Sequence, residues 1–388
     1  MRQARVFQFD MSNPPWMHCV SRCVRGAHLC AQQDGQPSDH RLALLEARLC
    51  QVARYFAVEV GAYALMSNHL HVVVRPLPEA SQELSSLTVA QAWAAMRQVP
   101  ELTQPSGADR SDGPPVWPFQ EYDMPEHDQL ERMAGDEDFV ATWRQRLGSI
   151  GWFMKLLKQP VALLANREDG CAGAFWEGRF SSVPLLDDAA LLAALAYVDL
   201  NPVRSATTQQ LAQELGRTSL QQRLAAARVR AQVAKRVGKG DDDGARAVLR
   251  RSGMSLRPGH RLPNLDRDRE DQVRHWLLPM SEIMPDAGVD LVRYRRLIDE
   301  TARQIRSSDS ASFSASVAAL LNDLGHDPER WSTVMGQPGA LRGTALGSQE
   351  ALQEEARRRK GRWVQKRSPL FSGGRRPSAG ADDDTDEQ

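Results

Sequence analysis

Residues 66–74 read Met-Ser-Asn-His-Leu-His-Val-Val-Val, and this run restricts the fold more than any other part of the chain. Val72, Val73 and Val74 are β-branched and apolar, so the run predicts a buried strand. Side chains alternate across a strand, which puts His69 and His71 on one face and Leu70 on the other, toward a core. Two imidazoles fixed on one face of a rigid strand make half of a divalent-metal site. Histidines also alternate on ordinary core and surface strands, so the pair takes its meaning from its context.

The preceding segments supply neighbours for this strand. Residues 16–24 alternate moderately and predict a first strand, in which His18 is a strand-face histidine rather than a ligand. Residues 40–56 carry Leu42, Leu45, Leu49, Val52, Ala53 and Phe56 at helical spacing. Residues 57–65 predict a second strand, with Ser67-Asn68 as the turn into the histidine strand. Strand, helix, strand, strand predicts an α+β fold, an antiparallel sheet with helices packed on one face.

Downstream, residues 84–99 predict a helix, 104–118 a Gly/Pro/Ser/Asp-rich loop and 123–138 an acidic stretch. Together they predict an insertion at about 79–141. Residues 142–166 predict a strong helix that Pro160 should kink or split. Residues 175–180 are short and aromatic, a strand or tight loop. Residues 187–199 predict a helix with Asp187 or Asp188 as N-cap, ended by Asn201-Pro202.

Three segments resemble the single-tyrosine HUH transposases, a group that includes the REP-associated tyrosine transposases. They are Tyr63-Ala64-Leu65-Met66-Ser67-Asn68-His69-Leu70-His71, Gly173-Ala174-Phe175-Trp176-Glu177-Gly178-Arg179-Phe180 and Tyr197-Val198-Asp199-Leu200-Asn201-Pro202-Val203-Arg204. They occur in that family's order and cover roughly the first half of the chain. The later half resembles the tail of a longer, transposase-labelled bacterial subgroup, a likeness that implies no chemistry. The resemblance implies an HUH-type, ferredoxin-like sheet flanked by helices. It implies that His69, His71 and a third polar residue hold Mg²⁺ or Mn²⁺ against a scissile phosphate. It further implies a tyrosine on a helix facing the sheet that attacks phosphorus and forms a 5′-phosphotyrosine link. The partner so implied is single-stranded or hairpin DNA of a mobile or repeated element, with a homodimer as one admissible assembly.

The resemblance breaks at the nucleophile. Aligned on the Trp176 segment, the family's tyrosine position falls at about Val161, and no tyrosine lies between Tyr122 and Tyr197. Three readings follow: Tyr197 or Tyr122 serves instead, metal-activated water hydrolyses the strand, or the chain binds DNA without cutting it. In the last case the protein is a domesticated DNA-binding or regulatory protein. For the third metal ligand, Asn166 leads, with Glu168, Asp169 and Glu177 as alternatives. Arg75, Arg179 and Arg204 are candidate phosphate contacts, and Trp176 and Phe180 could stack on bases or pack in the core.

Charge and cysteine usage bound these readings. The formal net charge of the 388-residue chain is zero, so no global field draws it to nucleic acid and DNA contacts must be local. Five cysteines without a C-x-x-C pair argue against a zinc knuckle and fit reduced thiols in a cytoplasmic protein. No apolar run has transmembrane length, so no membrane is expected. The division expected is a transposase-like domain at 1–205, a helical and partly basic region at 206–377 and an acidic disordered tail at 378–388. The helical region is expected to include 211–237, basic on one side through Arg223, Arg228, Arg230, Lys235 and Arg236. It also includes 284–305, 312–324 and a basic run around Trp363.

Overall fold

The computed structural model describes residues 14–30, 32–33, 36–37, 40–99, 125–205, 217–252, 276–306 and 312–359. It opens with β1 (Trp16–Arg22), a 3₁₀ turn (Val24–Gly26), a two-residue hairpin β2 (Gln32–Gln33) and β3 (Gln36–Pro37), α1 (His40–Tyr55), β4 (Val58–Leu65) and β5 (His69–Pro76). Then come α2 (Pro78–Gln82), α3 (Ser86–Arg97), α4 (His127–Ala134), α5 (Glu137–Leu147), α6 (Ile150–Glu168), β6 (Ser181–Leu185), α7 (Asp188–Asp199) and α8 (Asn201–Ser205). The remainder is β7 (Arg217–Thr218), α9 (Ser219–Val237), α10 (Asp242–Ser252), α11 (Met280–Ile283), α12 (Leu291–Arg306), α13 (Ala315–Asp323), α14 (Pro328–Gly336) and α15 (Gln349–Arg358).

The five-stranded sheet has the order β6-β1-β5-β4-β7, with every pair antiparallel, so the fold is mixed α+β. The valine-rich β5 occupies the centre, as its apolar run demands. Leu70, Val72 and Val74 pack on one face with Met17, Cys19, Tyr63 and Leu65, beneath α1 and α6. Burying each such aliphatic side chain contributes about 1.5–3 kcal/mol. Val73, Ala62, Ala64, Trp16 and Val183 face the other way, under α7 and later helices. Helices therefore cover both faces, not one as the element order suggested.

Pro160 does not break α6, which is continuous from Ile150 to Glu168. Proline removes the N–H that would pair with the carbonyl four residues back. That carbonyl, on Leu156, instead accepts from Arg48 Nε of α1 at 2.9 Å. A buried arginine thus satisfies the group that the proline orphaned. By contrast, the N-cap of α7 is as its sequence predicts: the Asp187 carboxylate accepts from the Ala190 N–H at 2.8 Å.

One hydrophobic cluster draws residues from both sides of the expected 205/206 division. Leu191, Leu195 and Val198 of α7 share one hydrophobic cluster with Met280, Tyr294, Leu297, Leu320, Trp331 and Met335. Polar bonds cross the same line. Asp199 Oδ1 accepts from Ser219 Oγ at 2.6 Å and from the Leu220 N–H at 2.9 Å, and Oδ2 accepts from Tyr294 Oη at 2.7 Å. Arg223, expected on a basic helix face, is buried and donates to the carbonyls of Gly61 and Leu278. Arg228, Arg230, Lys235 and Arg236 are exposed as expected. The expected loop at 104–118, the run around Trp363 and the acidic tail lie outside the described residues.

Candidate functional site

The Ser67-Asn68 turn is held from several sides before β5 begins. Its carbonyls accept from the Cys30 and Cys23 N–H groups at 2.8 Å each, and Ser67 Oγ meets His28 Nδ1 at 2.6 Å. Asn68 Nδ2 donates to the Gly26 carbonyl at 3.2 Å. That bond fixes the amide so that Oδ1 faces His69 Nδ1, 2.5 Å away. An amide oxygen only accepts, so the His69 proton sits on Nδ1 and Nε2 keeps its lone pair.

β5 places His69 and His71 on the same face, with ring centroids 5.0 Å apart. Beside them on β1, His18 Nε2 lies 2.8 Å from His71 Nδ1, the two rings stacked. His18 pairs with Val73 in the antiparallel register, and it leans diagonally to reach His71. Tyr197 of α7 closes the face, its ring centroid 6.0 Å from His71 and 6.2 Å from His18. Asn201, the first residue of α8, brings Oδ1 to 3.4 Å from His69 Nε2.

All three imidazoles are neutral at pH 7. Burial pushes His18 down to about 4, aided by Arg204. Burial also pushes His69 down to about 4, with Arg22, Arg204 and His28 acting the same way and the Asn201 contact opposing them. His71 is lowered further by burial and then by His18, His69, Arg204 and Arg22. Neutral imidazole is the metal-binding form, and the cations acting on this face favour an anion.

Among the described residues no group of three or more His, Cys, Asp and Glu side chains forms a metal site. What the face offers is imidazole nitrogen plus an amide oxygen, a donor set that suits softer divalent ions and would take Mn²⁺ weakly and Mg²⁺ more weakly still. A ligating histidine normally donates its second N–H to an acceptor. His69 does so to Asn68, and His71 does so when its Nδ1 proton points at His18 Nε2. That tautomer leaves His18 Nδ1–H buried without a partner among the described residues, at a cost of about 1–3 kcal/mol. These donors would admit a metal, and the His18–His71 contact would weaken its binding.

The other expected site residues distribute unevenly. Val161 is fully buried in the cluster with Leu70, Val72 and Val74, on the face opposite the histidines. Asn166 lies on the same helix and donates to the Gly173 carbonyl at 2.8 Å. The structure does not bring it to His69. Glu168 and Asp169 are taken by Arg41, at 2.8 and 2.5 Å. Glu177 is exposed in the loop before β6, its N–H donating to the Arg22 carbonyl at 2.8 Å.

Trp176 is core, not a stacking platform: it is buried and its Nε1 donates to the Lys158 carbonyl at 3.2 Å. Phe180 is buried in the same cluster. Arg75 shares the histidine face but sits near the far end of β5, paired with Glu59 at 2.6 Å. Arg204 donates to the carbonyls of Tyr197 and Met335 at 2.8 and 3.1 Å, and its guanidinium lies 3.7 Å from the Tyr197 ring centroid. It acts on the site through its field rather than as a free phosphate contact. Arg179 is exposed. Tyr122 lies outside the described residues.

Tyr197 meets the histidines, yet its hydroxyl is committed elsewhere. It is buried and accepts from the Gly339 N–H at 2.8 Å. Sequence reasoning passed over His18, Asn68 and Asn201. His18 had the right strand parity but needed the cross-strand register to find its partner, and Asn201 read as a helix terminator and a member of the Tyr197–Arg204 motif, with no ligand role.

No family model, no curated protein and no solved structure matches the chain. No described helix is long and apolar enough to cross a membrane.

Proposed function

We propose that this chain is a transposase-like, HUH-type protein of ferredoxin-like fold that binds single-stranded or hairpin DNA through the His69–His71 face. The observation that carries the reading is that face itself: two neutral imidazoles on a central strand, acted on by Arg22 and Arg204. An anion entering there meets cationic fields and two nitrogen donors. Bound Mg²⁺ or Mn²⁺ would polarise a phosphate oxygen. His69 and His71 are the residues that hold the metal, and Asn68 and His18 orient their rings.

The parent activity of such a protein is metal-dependent strand cleavage and transfer in DNA transposition. This chain is proposed to bind without forming a protein–DNA link. A tyrosine nucleophile must bring its oxygen to within about 3–3.5 Å of phosphorus. Val161 has no hydroxyl and faces away from the histidines, and the Tyr197 hydroxyl is buried against Gly339. A domesticated, regulatory DNA-binding role is the form of the proposal that the committed hydroxyl favours.

The test incubates purified protein with Mn²⁺ and end-labelled hairpin, single-stranded and duplex DNA, followed by native and denaturing gels. The expected result is retention of hairpin or single strands over duplex, weakening steeply with salt, and no covalent band. A covalent band lost in Tyr197→Phe or Tyr122→Phe overturns the binding-only reading and restores transposase chemistry. Equal retention of all three DNAs at low salt removes the transposase-like reading.

A further inference from the structure

We propose that Asn201 is the third metal ligand of the His69–His71 face, in place of Asn166. The inference rests on the proposed metal-binding role of that face and names the residue that completes it.

The argument starts from the proton on His69. Asn68 Oδ1, held in orientation by the bond from its own Nδ2 to Gly26, takes the Nδ1 proton. His69 Nε2 is then a bare lone pair. Opposite it, 3.4 Å away, stands Asn201 Oδ1, an acceptor. Two acceptors facing each other across that distance in a buried setting lack a partner between them. The separation is too long for a normal N–H···O bond, whose range is about 2.7–3.2 Å. It comes near what two donors on one octahedral cation need: neighbouring ligand bonds of about 2.1 Å at a right angle span about 3.0 Å, so a shift of a few tenths of an ångström brings both onto a shared ion.

The surroundings add two points. Asn201 is 6% exposed, so its amide is held rather than mobile. The carboxylates expected near the site, Glu168 and Asp169, are neutralised by Arg41. With Asn68 Oδ1 occupied at Nδ1, the Asn201 amide oxygen is the oxygen donor that the described contacts present to His69 Nε2. Asn166 is on α6, whose buried residues pack against the opposite sheet face, and its amide donates to Gly173.

The experiment measures Mn²⁺ binding to the full chain by electron paramagnetic resonance and by calorimetry. Wild type is compared with Asn201→Ala, Asn201→Asp, Asn166→Ala and the His69→Ala/His71→Ala double variant, each checked for fold by circular dichroism. Asn201→Ala is expected to weaken Mn²⁺ binding about tenfold, the scale of losing a ligand-sphere contact. Asn201→Asp is expected to tighten it, because an anionic oxygen of the same shape binds a hard cation more strongly. Asn166→Ala is expected to bind as wild type does. The aspartate variant keeps the proposal open to test even where the alanine variant folds poorly. Loss of binding in Asn166→Ala with no change in either Asn201 variant overturns the assignment and leaves the histidine site standing. Wild-type binding no stronger than that of the double histidine variant overturns the metal reading of the face and this assignment with it. An aspartate variant that binds no more tightly than wild type, while folding normally, also counts against Asn201, since it then serves as a hydrogen-bond partner of His69.

Discussion

On the Leu70–Val72–Val74 side of the sheet, α1 and α6 lay down Leu45, Leu49, Phe153, Leu157 and Val161, Arg48 serves the backbone, and the buried Glu46 carboxylate accepts from Tyr63 Oη at 2.7 Å and from Arg217 at 2.6 Å. On the His69–His71 side the same strand meets His18, Tyr197, Asn201 and, further along α7, the Asp199 carboxylate with Ser219 and Tyr294. One strand thus carries a packing face and a polar face, separated only by the alternation of its side chains. The polar face needs a cover that bonds as well as packs, and the later helices of the chain provide it. Apart from the Tyr63–Glu46–Arg217 network, the first face depends on volume, whereas the second depends on pairing, so substitutions on them should fail in different ways.

The largest expected effect is on the pairing side. Asp199→Ala removes the acceptor of three hydrogen bonds and leaves the buried Arg223, whose Nη1 already lacks a partner among the described residues, without its nearby anion. The loss expected is about 3–5 kcal/mol, the cost of breaking a buried charged network by deleting one side. Urea denaturation checks it. A loss below 1 kcal/mol would show that the cover does not depend on pairing.

Acid should separate the two faces next. Burial lowers His18, His69 and His326 to about 4, and His326 Nε2 bonds the Ala189 carbonyl at 2.9 Å beneath Trp331. The unfolded chain binds protons at these groups from about pH 6.5 downward, and the folded chain resists until about 4. Their stabilisation is complete above pH 6.5, falls as pH drops through that window and is gone below 4. For His326 alone this amounts to about 3 kcal/mol. Hydrogen exchange at pH 5 should show α7, α12 and α14 losing protection before α1 and α6. Loss in the reverse order breaks the comparison.

Much of the packing face was readable in the sequence. The parity of Leu70 against His69 and His71, the spacing of α1 and the Asp187 cap all depend on residues close in the chain. What failed was long-range. β6 was missed because Ser181, Ser182 and Pro184 do not read as a strand. It forms at the sheet edge, where a proline without an N–H is tolerated, and the Pro184 carbonyl accepts from the Leu346 N–H at 2.9 Å. Pro160 predicted a kink because the rescue by Arg48 comes from another helix. The site suffered most: two histidines were found from their spacing, but His18 and Asn201 join them only through register and the return of α7. Asn166 and Trp176 were placed by motif, and motif alone does not say which face of a sheet a helix covers.

Val161→Tyr tests the volume side directly. The position is fully buried, so a phenol ring overpacks it and should cost about 1–3 kcal/mol. Restoring the side chain that the transposase resemblance calls for should therefore destabilise the protein and yield no covalent DNA adduct. An adduct formed by this variant would mean that α6 reaches the histidines in solution, and that the two faces are not separate.

The smallest effect expected is that of Tyr197→Phe, the substitution that touches both the cover and the candidate chemistry. The phenol ring packs beside His18 and His71 and under the Arg204 guanidinium, and phenylalanine keeps that ring. Only the hydroxyl is lost, and with it the acceptor of the Gly339 N–H. A hydrogen bond of this kind contributes about 0.5–1.5 kcal/mol, and a half-exposed amide can turn to water. The expected variant is slightly less stable in urea and retains hairpin DNA as wild type does. If stability is unchanged while Mn²⁺-dependent strand cleavage disappears, the hydroxyl leaves Gly339 to act on the phosphate, and the polar face is a reaction centre rather than a binding surface.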